Sequence, residues 1–299
     1  MSEVVVVGSI NVDRAVEVPD APARGATLLG GAVLRGPGGK GANQAVALAQ
    51  LGRDVAMVGA VGKDADGDWM SDILDQEGVC TAGILRLDAA TGQAFVFVEP
   101  DGESTIVVAP GANSALTPAS LEASAGMIAD ARIVLAQQEV PAETVERAAE
   151  WCTGTFVLNP APARPLSPAV LGRVDVLVPN RHELAGLTGG TVTDDIGALA
   201  DMARSLNVPC VVVTLGDKGA AVVENDAVLH VPAVPARSID ATAAGDTFCA
   251  ALVDRLLDGS SVADATRWAV RAAALTTERP GAMTSIPRRD EIVARFGDL

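Results

Sequence analysis

Short β-branched, almost continuously apolar runs alternate along the chain with longer stretches whose apolar positions recur every three or four residues. The runs are Val4–Ile10, Val55–Val61, Ile133–Ala136, Thr155–Leu158, Asp175–Val178, Cys210–Thr214 and Ala220–Glu224, each of strand length. Helical patterns lie between them. Ala42–Leu51 stops at Gly52 and Asp64–Glu77 at Gly78, the position where a helix end tolerates a left-handed residue. Pro141–Cys152 opens on proline, Asp194–Leu206 and Ala263–Glu278 continue the series, and a further helix runs from Phe248 to Gly259. Strands apolar on both faces, each followed by a helix, predict a mostly parallel Rossmann-like sheet in three α/β/α layers. Its ligand site is expected at the carboxyl ends of the strands.

Two segments break the alternation. Arg14–Val33 is polar and turn-rich, and Thr91–Val108 reads as a hairpin, Gln93–Val98 and Ser104–Val108 flanking the turn signal Asp101-Gly102. With no helical partners of their own, segments of about 14–33 and 91–108 predict a small β lid over the strand ends. The whole, residues 1–299, is expected to be a single α/β domain, since no linker, repeat or low-complexity tract interrupts it.

Composition narrows the partners. A formal net charge of -16 disfavours nucleic acid and anionic membranes, though an anionic nucleotide needs only a local positive site. Val4–Val7 is too short to span a bilayer and lacks the basic flank of a signal peptide. The cysteines Cys80, Cys152, Cys210 and Cys249 have no paired spacing and read as buried free thiols of a cytoplasmic protein; His182 and His230 are too few for a histidine-rich metal site and read as structural or solvated.

The segment Asp240-Ala-Thr-Ala-Ala-Gly-Asp246-Thr-Phe carries the sharpest chemistry. Small residues leave backbone N–H groups uncovered, and the helix that follows adds its own unpaired N–H groups and the positive end of its dipole, an arrangement that binds phosphate. A carboxylate there repels phosphate. It fits instead as a base taking the proton of a hydroxyl that attacks the phosphate. Asn11 and Asp13, two apart after the first strand, supply an amide and a carboxylate suited to a polyol, or alternatively a turn with Asx chemistry. Gly36-Pro-Gly-Gly-Lys40-Gly-Ala-Asn43 allows close backbone approach to a ligand. Its match to a dinucleotide fingerprint is weak because the first strand lies far upstream, and Walker A fails because Lys40 precedes glycine. Gln137-Gln138-Glu139, Asn159–Arg164 and Asn180-Arg-His-Glu183 also fall at strand ends. Asn180 and Glu183 share one helical face and read as holders of hydrated Mg²⁺ or as a helix cap. Thr214-Leu-Gly216-Asp-Lys-Gly219 is a tight turn, and the loop Glu278–Ser285 follows a helix.

With these residues in view, the chain resembles the ribokinase-like (PfkB) sugar kinases almost end to end. The resemblance rests on Gly-Gly-Lys-Gly-Ala-Asn at 38–43, Asp-x-x-Ala-Ala-Gly-Asp-Thr-Phe at 240–248, Asn-Pro-Ala-Pro-Ala-Arg at 159–164, Thr-Leu-Gly-x-x-Gly at 214–219 and Pro-Asn-x-x-Glu at 179–183. It implies transfer of the ATP γ-phosphoryl group to the 5-hydroxyl of ribose. Asp246 is then the base, and Ala243, Ala244 and Gly245 the anion hole. Asn11, Asp13, Gly39, Lys40, Asn43 and Glu139 match ribose-binding positions, and Ala94, Val96 and Val108 fall where lid residues close over the sugar. Asn180 and Glu183 match the phosphate and Mg²⁺ region, and Thr214, Gly216, Gly219 and Gly245 the nucleotide site. Asp240, Thr242, Thr276, Arg279, Gly281 and Ser285 fall near an activating K⁺ site, mostly through carbonyls. The family's lid also pairs two subunits into a homodimer. Phe248-Cys249-Ala250, Arg181-His182 and Pro280 depart from the family pattern without removing a residue assigned to chemistry. Rival readings are a kinase of the same fold acting on deoxyribose, fructose or a nucleoside, a non-catalytic sugar sensor, and, on the weak glycine match alone, an NAD-dependent dehydrogenase.

Overall fold

A computed structural model of the chain describes residues 2–100 and 104–298. Its strands are β1 Val4–Val7, β2 Asn11–Glu17, β3 Leu34–Gly38, β4 Val55–Gly62, β5 Cys80–Leu87, β6 Gly92–Val98, β7 Ser104–Ala109, β8 Ile133–Gln137, β9 Thr155–Asn159, β10 Val176–Leu177, β11 Cys210–Thr214, β12 Ala220–Glu224 and β13 Ala227–Val231. Its α-helices are α1 Lys40–Gln50, α2 Ala65–Gln76, α3 Pro118–Leu121, α4 Ala125–Asp130, α5 Ala142–Trp151, α6 Pro168–Leu171, α7 Arg181–Thr188, α8 Ile196–Ser205, α9 Ala244–Leu257, α10 Val262–Thr276 and α11 Arg289–Phe296.

Nine strands form one sheet in the order β13-β12-β11-β10-β9-β8-β1-β4-β5. Pairing is parallel from β5 to β11 and antiparallel only at β11–β12 and β12–β13. The four valines of β1 sit at the centre and alternate between two cores. Val4 and Val6 pack with α1, α9 and α10, and Val5 and Val7 with α5, α7 and α8. β-Branched side chains on both faces of a buried strand thus build the three layers expected.

The second sheet has four strands in the order β3-β2-β6-β7. The hairpin of β6 and β7 falls where the alternation was broken, while its proposed Asp101-Gly102 turn lies outside the described residues. The other half differs from expectation: strand pairing occurs at Asn11–Glu17 and Leu34–Gly38, on either side of a mostly irregular stretch from Val18 to Val33. The glycine motif therefore begins on a strand, with Asp13 opposite Gly36 and Asn11 opposite Gly38. Strands β5 and β13 escaped the sequence reading, and both lie at sheet edges where burial no longer imposes a continuous apolar run. Cys80, at the start of β5, is exposed rather than buried; the other three thiols are buried.

Candidate active site

The chain enters α9 through Ala243, whose φ of 61° is left-handed, an uncommon conformation for a residue with a Cβ. This turn sets Asp246 in the first helical turn, 6% exposed. Amides from α1 hold both carboxylate oxygens: Asn43 Nδ2 donates to Oδ2 at 2.9 Å and Gln44 Nε2 to Oδ1 at 3.1 Å. Burial pushes the Asp246 carboxyl above its ordinary range, opposed by the Lys40 charge and then by the two amides. Lys40 is raised in turn, chiefly by the charge of Asp246.

Beside this carboxylate lies a polar wall. Asn113 Nδ2 donates to Asn11 Oδ1 at 2.8 Å, and Asn113 also accepts from Ile10 N–H at 2.9 Å, so the Asn11 amide is oriented with its NH₂ left for a ligand. Glu139 accepts from the Ser9 hydroxyl and from the Lys40 backbone N–H, locking the end of β8 to the glycine turn. Gly39, at a φ of 93°, admits no side chain: a Cβ would lie 2.7 Å from the Asn11 nitrogen. At Gly38 a Cβ would meet the Asp13 carboxylate at 2.2 Å. Burial, then the charges of Glu139 and Asp246, push Asp13 up to about 6. Across the small sheet Asp13 pairs laterally with Ala94, and Ala94 with Val108, so the three share one face. Val96 follows two residues on along β6, on that same face. Ala94 is buried and Val108 half-exposed.

Two cavities meet at the start of α9. One, of about 190 Å³, is lined by Lys40, Asn180, Glu183, Ala243, Asp246 and Cys249. The other, of about 480 Å³ and mostly apolar, is lined by Gly216, Gly219, Pro235, Phe248, Val270 and Ala274. Thr214, Ala241 and Gly245 belong to both walls. Of the expected anion-hole donors, Ala244 N–H already reaches the Ala241 carbonyl at 3.2 Å. Asn180 and Glu183 form the capping box of α7, each side chain accepting from the other's backbone N–H at 2.8 Å. Glu183 therefore caps the helix and also faces the polar cavity, where burial raises its carboxyl.

The loop proposed for a monovalent cation is held by Asp240, whose two oxygens accept from Thr242 N–H at 2.9 Å and Gly281 N–H at 2.8 Å. Burial raises this carboxyl, but those hydrogen bonds outweigh it and leave it below its ordinary range. The neighbouring side chains turn elsewhere: Thr276 and Ser285 donate to the Ala272 and Ala282 carbonyls, and Arg279 pairs with Glu291. Among the described residues no three His, Cys, Asp or Glu side chains converge on a metal position. A cation at either place would thus rest on single carboxylates, carbonyls and water.

The structure brings together Asn11, Asp13, Lys40, Asn43, Glu139 and Asp246 on one side and Thr214, Gly216, Gly219 and Gly245 on the other. It keeps Arg279 in an ion pair. Gln44 and Asn113 were not anticipated; a long polar side chain inside the apolar start of a helix was the signal for the first. No helix among the described residues is long and apolar enough to cross a membrane.

Comparison with known proteins places this geometry. The model of the pfkB family carbohydrate kinases matches residues 1–289. A ribokinase of Haemophilus influenzae is 39% identical over 292 residues, 96% of this chain and 95% of the relative. The crystal structure of a Thermotoga maritima ribokinase superposes with a TM-score of 0.92 at 32% identity, covering 100% of both chains. An Arabidopsis thaliana ribokinase complexed with ribose and ATP gives a TM-score of 0.91 at 31% identity, covering 98% of each chain.

Proposed function

The chain belongs to the pfkB family of carbohydrate kinases, and from that premise we propose that it is a ribokinase, transferring the γ-phosphoryl group of ATP to the 5-hydroxyl of ribose. One observation carries the assignment: Asp246 stands where a polyol-lined wall meets a nucleotide-sized cleft, with Gly245 in the wall of both cavities. Asn11, Asp13, Lys40, Asn43 and Glu139 grip the sugar hydroxyls. Thr214, Gly216, Gly219 and Phe248 line the place of the nucleotide. Asp246 takes the proton as the 5-oxygen bonds to the γ-phosphorus and the bond to the ADP oxygen breaks. The N–H groups of Ala243 and Gly245 face the charge carried by the transferring group, the Ala244 N–H being turned to the Ala241 carbonyl. Positioning and charge stabilisation supply most of the acceleration in such a transfer.

In this reading the small sheet is a lid that excludes water, Ala94, Val96 and Val108 covering the sugar. Residues 1–299 act as one kinase domain carrying that lid, in a reducing cytoplasm. Two copies pair through the lids as a homodimer. Mg²⁺ bound to ATP neutralises phosphate charge, and Asn180 and Glu183 are the residues that would hold its water shell. Carbonyls around Asp240, Thr242 and Gly281 would hold K⁺, for which the depressed Asp240 carboxyl provides a fixed negative charge.

The test is ADP release measured across ribose, deoxyribose, fructose and nucleosides. Ribose is expected to give the highest kcat/KM, and a nucleoside in that place overturns the substrate. Asp246→Asn should lose about 10³-fold or more in kcat while still binding ribose and ATP. Near-normal turnover removes Asp246 from its role.

A further inference from the structure

Behind the base lies a chain of buried amides that the reaction as described does not use. Gln44 is wholly buried within α1. Its Nε2 donates to Asp246 Oδ1 at 3.1 Å and approaches Asn159 Oδ1 at 3.3 Å, while its Oε1 accepts from Gln137 Nε2 at 2.6 Å. Gln137 and Asn159 are register partners at the carboxyl ends of β8 and β9, and both are buried.

The direction of this chain is fixed by chemistry. An ionised carboxylate only accepts, so Gln44 must turn its NH₂ toward Asp246. Its carbonyl then faces the strand ends and needs a donor, which Gln137 supplies. Gln137 Oε1 is left pointing at Gly8, where a Cβ would lie 1.9 Å away, and it has no hydrogen-bond partner among the described residues. Burying such a group carries a penalty that an apolar side chain at 137 would avoid. For the fold alone, leucine or methionine at 44 and 137 would extend the cores already present. The amides have a use only through the carboxylate at the end of the chain.

We propose that Gln44, itself oriented by Gln137, is a positioning residue for the Asp246 base. Asn43 on Oδ2 and Gln44 on Oδ1 together fix the plane of the carboxylate. Neither oxygen can swing away from the acceptor hydroxyl, and the remaining lone pairs face the sugar. With Gln44 gone, Asn43 alone leaves the carboxylate free to turn. The proposal rests on the assignment of Asp246 as base, which Asp246→Asn tests on its own.

The protein is compared with Gln44→Met and Gln137→Met on whichever acceptor the wild type turns over best. A failure on ribose thereby removes the substrate assignment without touching the positioning claim. Gln44→Met is expected to lower kcat about ten- to hundredfold with acceptor KM changed less than about threefold. The acid limb of kcat/KM should move about one pH unit upward as the carboxylate loses a donor. Gln137→Met should move both readouts the same way by less, because Gln44 keeps its own contact. It also carries the test if Gln44→Met does not fold. A ¹³C titration of the Asp246 carboxyl, which needs no turnover, should shift upward in both variants. Folded variants with wild-type kcat, pH profile and carboxyl titration overturn the proposal, as does a loss confined to KM.

Discussion

Asp13, proposed to bind the sugar, is held at the expense of the empty protein. Its carboxyl is pushed up to about 6 by burial and by the charges of Glu139 and Asp246, above the 3.8 of a free aspartate. Lys40 is the nearby cation and is engaged with those same carboxylates. Between those two values the folded state binds more protons at Asp13 than the unfolded chain, so this group's contribution makes the fold more stable as pH falls from 7 toward 4. At pH 7 the ionised, sugar-free Asp13 is destabilising. Asp13→Asn is therefore expected to stabilise the sugar-free protein at pH 7 by about 1–2 kcal/mol, less than full linkage because the group keeps some solvent contact, and so to raise its thermal midpoint. The difference from wild type should shrink by pH 5. The same substitution should weaken sugar binding, and the wild-type sugar KM should rise as pH falls through about 6, when the acceptor of hydroxyl protons is lost. Thermal melts and KM at pH 5, 6 and 7 check all three. A wild-type advantage in stability that is constant with pH refutes the account. The raised carboxyl was not visible in the sequence; there Asn11 and Asp13 on their own left a polyol grip and an Asx turn open, and only the family resemblance pointed to the sugar. The choice depended on the β3 backbone lying against Asp13, a contact set by tertiary pairing.

Helix α9 carries the same logic at the scale of an element. Its first turn holds Asp246, and two turns on it holds Asp254, which is fully buried and receives Arg53 Nε at 2.5 Å together with the Arg289 guanidinium. Arg53 follows α1 and Arg289 opens α11, so one carboxylate ties three helices at the end opposite the base. Asp254→Ala leaves two guanidiniums without their buried partner, at a cost of about 3–5 kcal/mol. For a chain of 299 residues that lowers the midpoint by about 5–8 °C. Calorimetry decides it, and a shift under about 2 °C would mean that solvent reaches both arginines. The central strands were legible because burial on both faces imposes an unbroken apolar run, as in Val4–Val7, and α1, α2, α5, α8, α9 and α10 from their apolar period, whereas α3, α4, α6 and α11 are too short to show one. The cap at Asn180–Glu183 was legible in spacing, though not its second face toward the cavity. Strand β3 was hidden because Leu34 and Arg35 are exposed and Gly36-Pro-Gly reads as a turn, and only its partner β2 makes it a strand.

At the scale of the molecule, the small sheet leaves apolar side chains uncovered on its outer strands. Its outer strands β3 and β7 are edges, and Leu34, Ile106, Val107 and Val108 are 65%, 58%, 54% and 46% exposed. Apolar side chains concentrated on such edges invite pairing or stacking with another chain. The net charge of -16 opposes close approach of two copies, so the proposed dimer, held by this apolar surface, is expected to tighten with salt. Val107 pairs with Phe95, on the face of the sheet opposite Asp13, Ala94 and Val108. A charge placed there disturbs association without entering the sugar pocket. Val107→Glu is expected to sediment as a monomer at micromolar concentrations where the wild type is a dimer. It should bind ATP normally, and its sugar KM should rise severalfold because an unpaired lid closes less completely. A wild type that sediments as a monomer at every concentration, or a Val107→Glu variant that stays dimeric, places the subunit contact elsewhere. The lid then has to close over the sugar within a single chain, and the exposed valines and isoleucine would be covered only in that closed state.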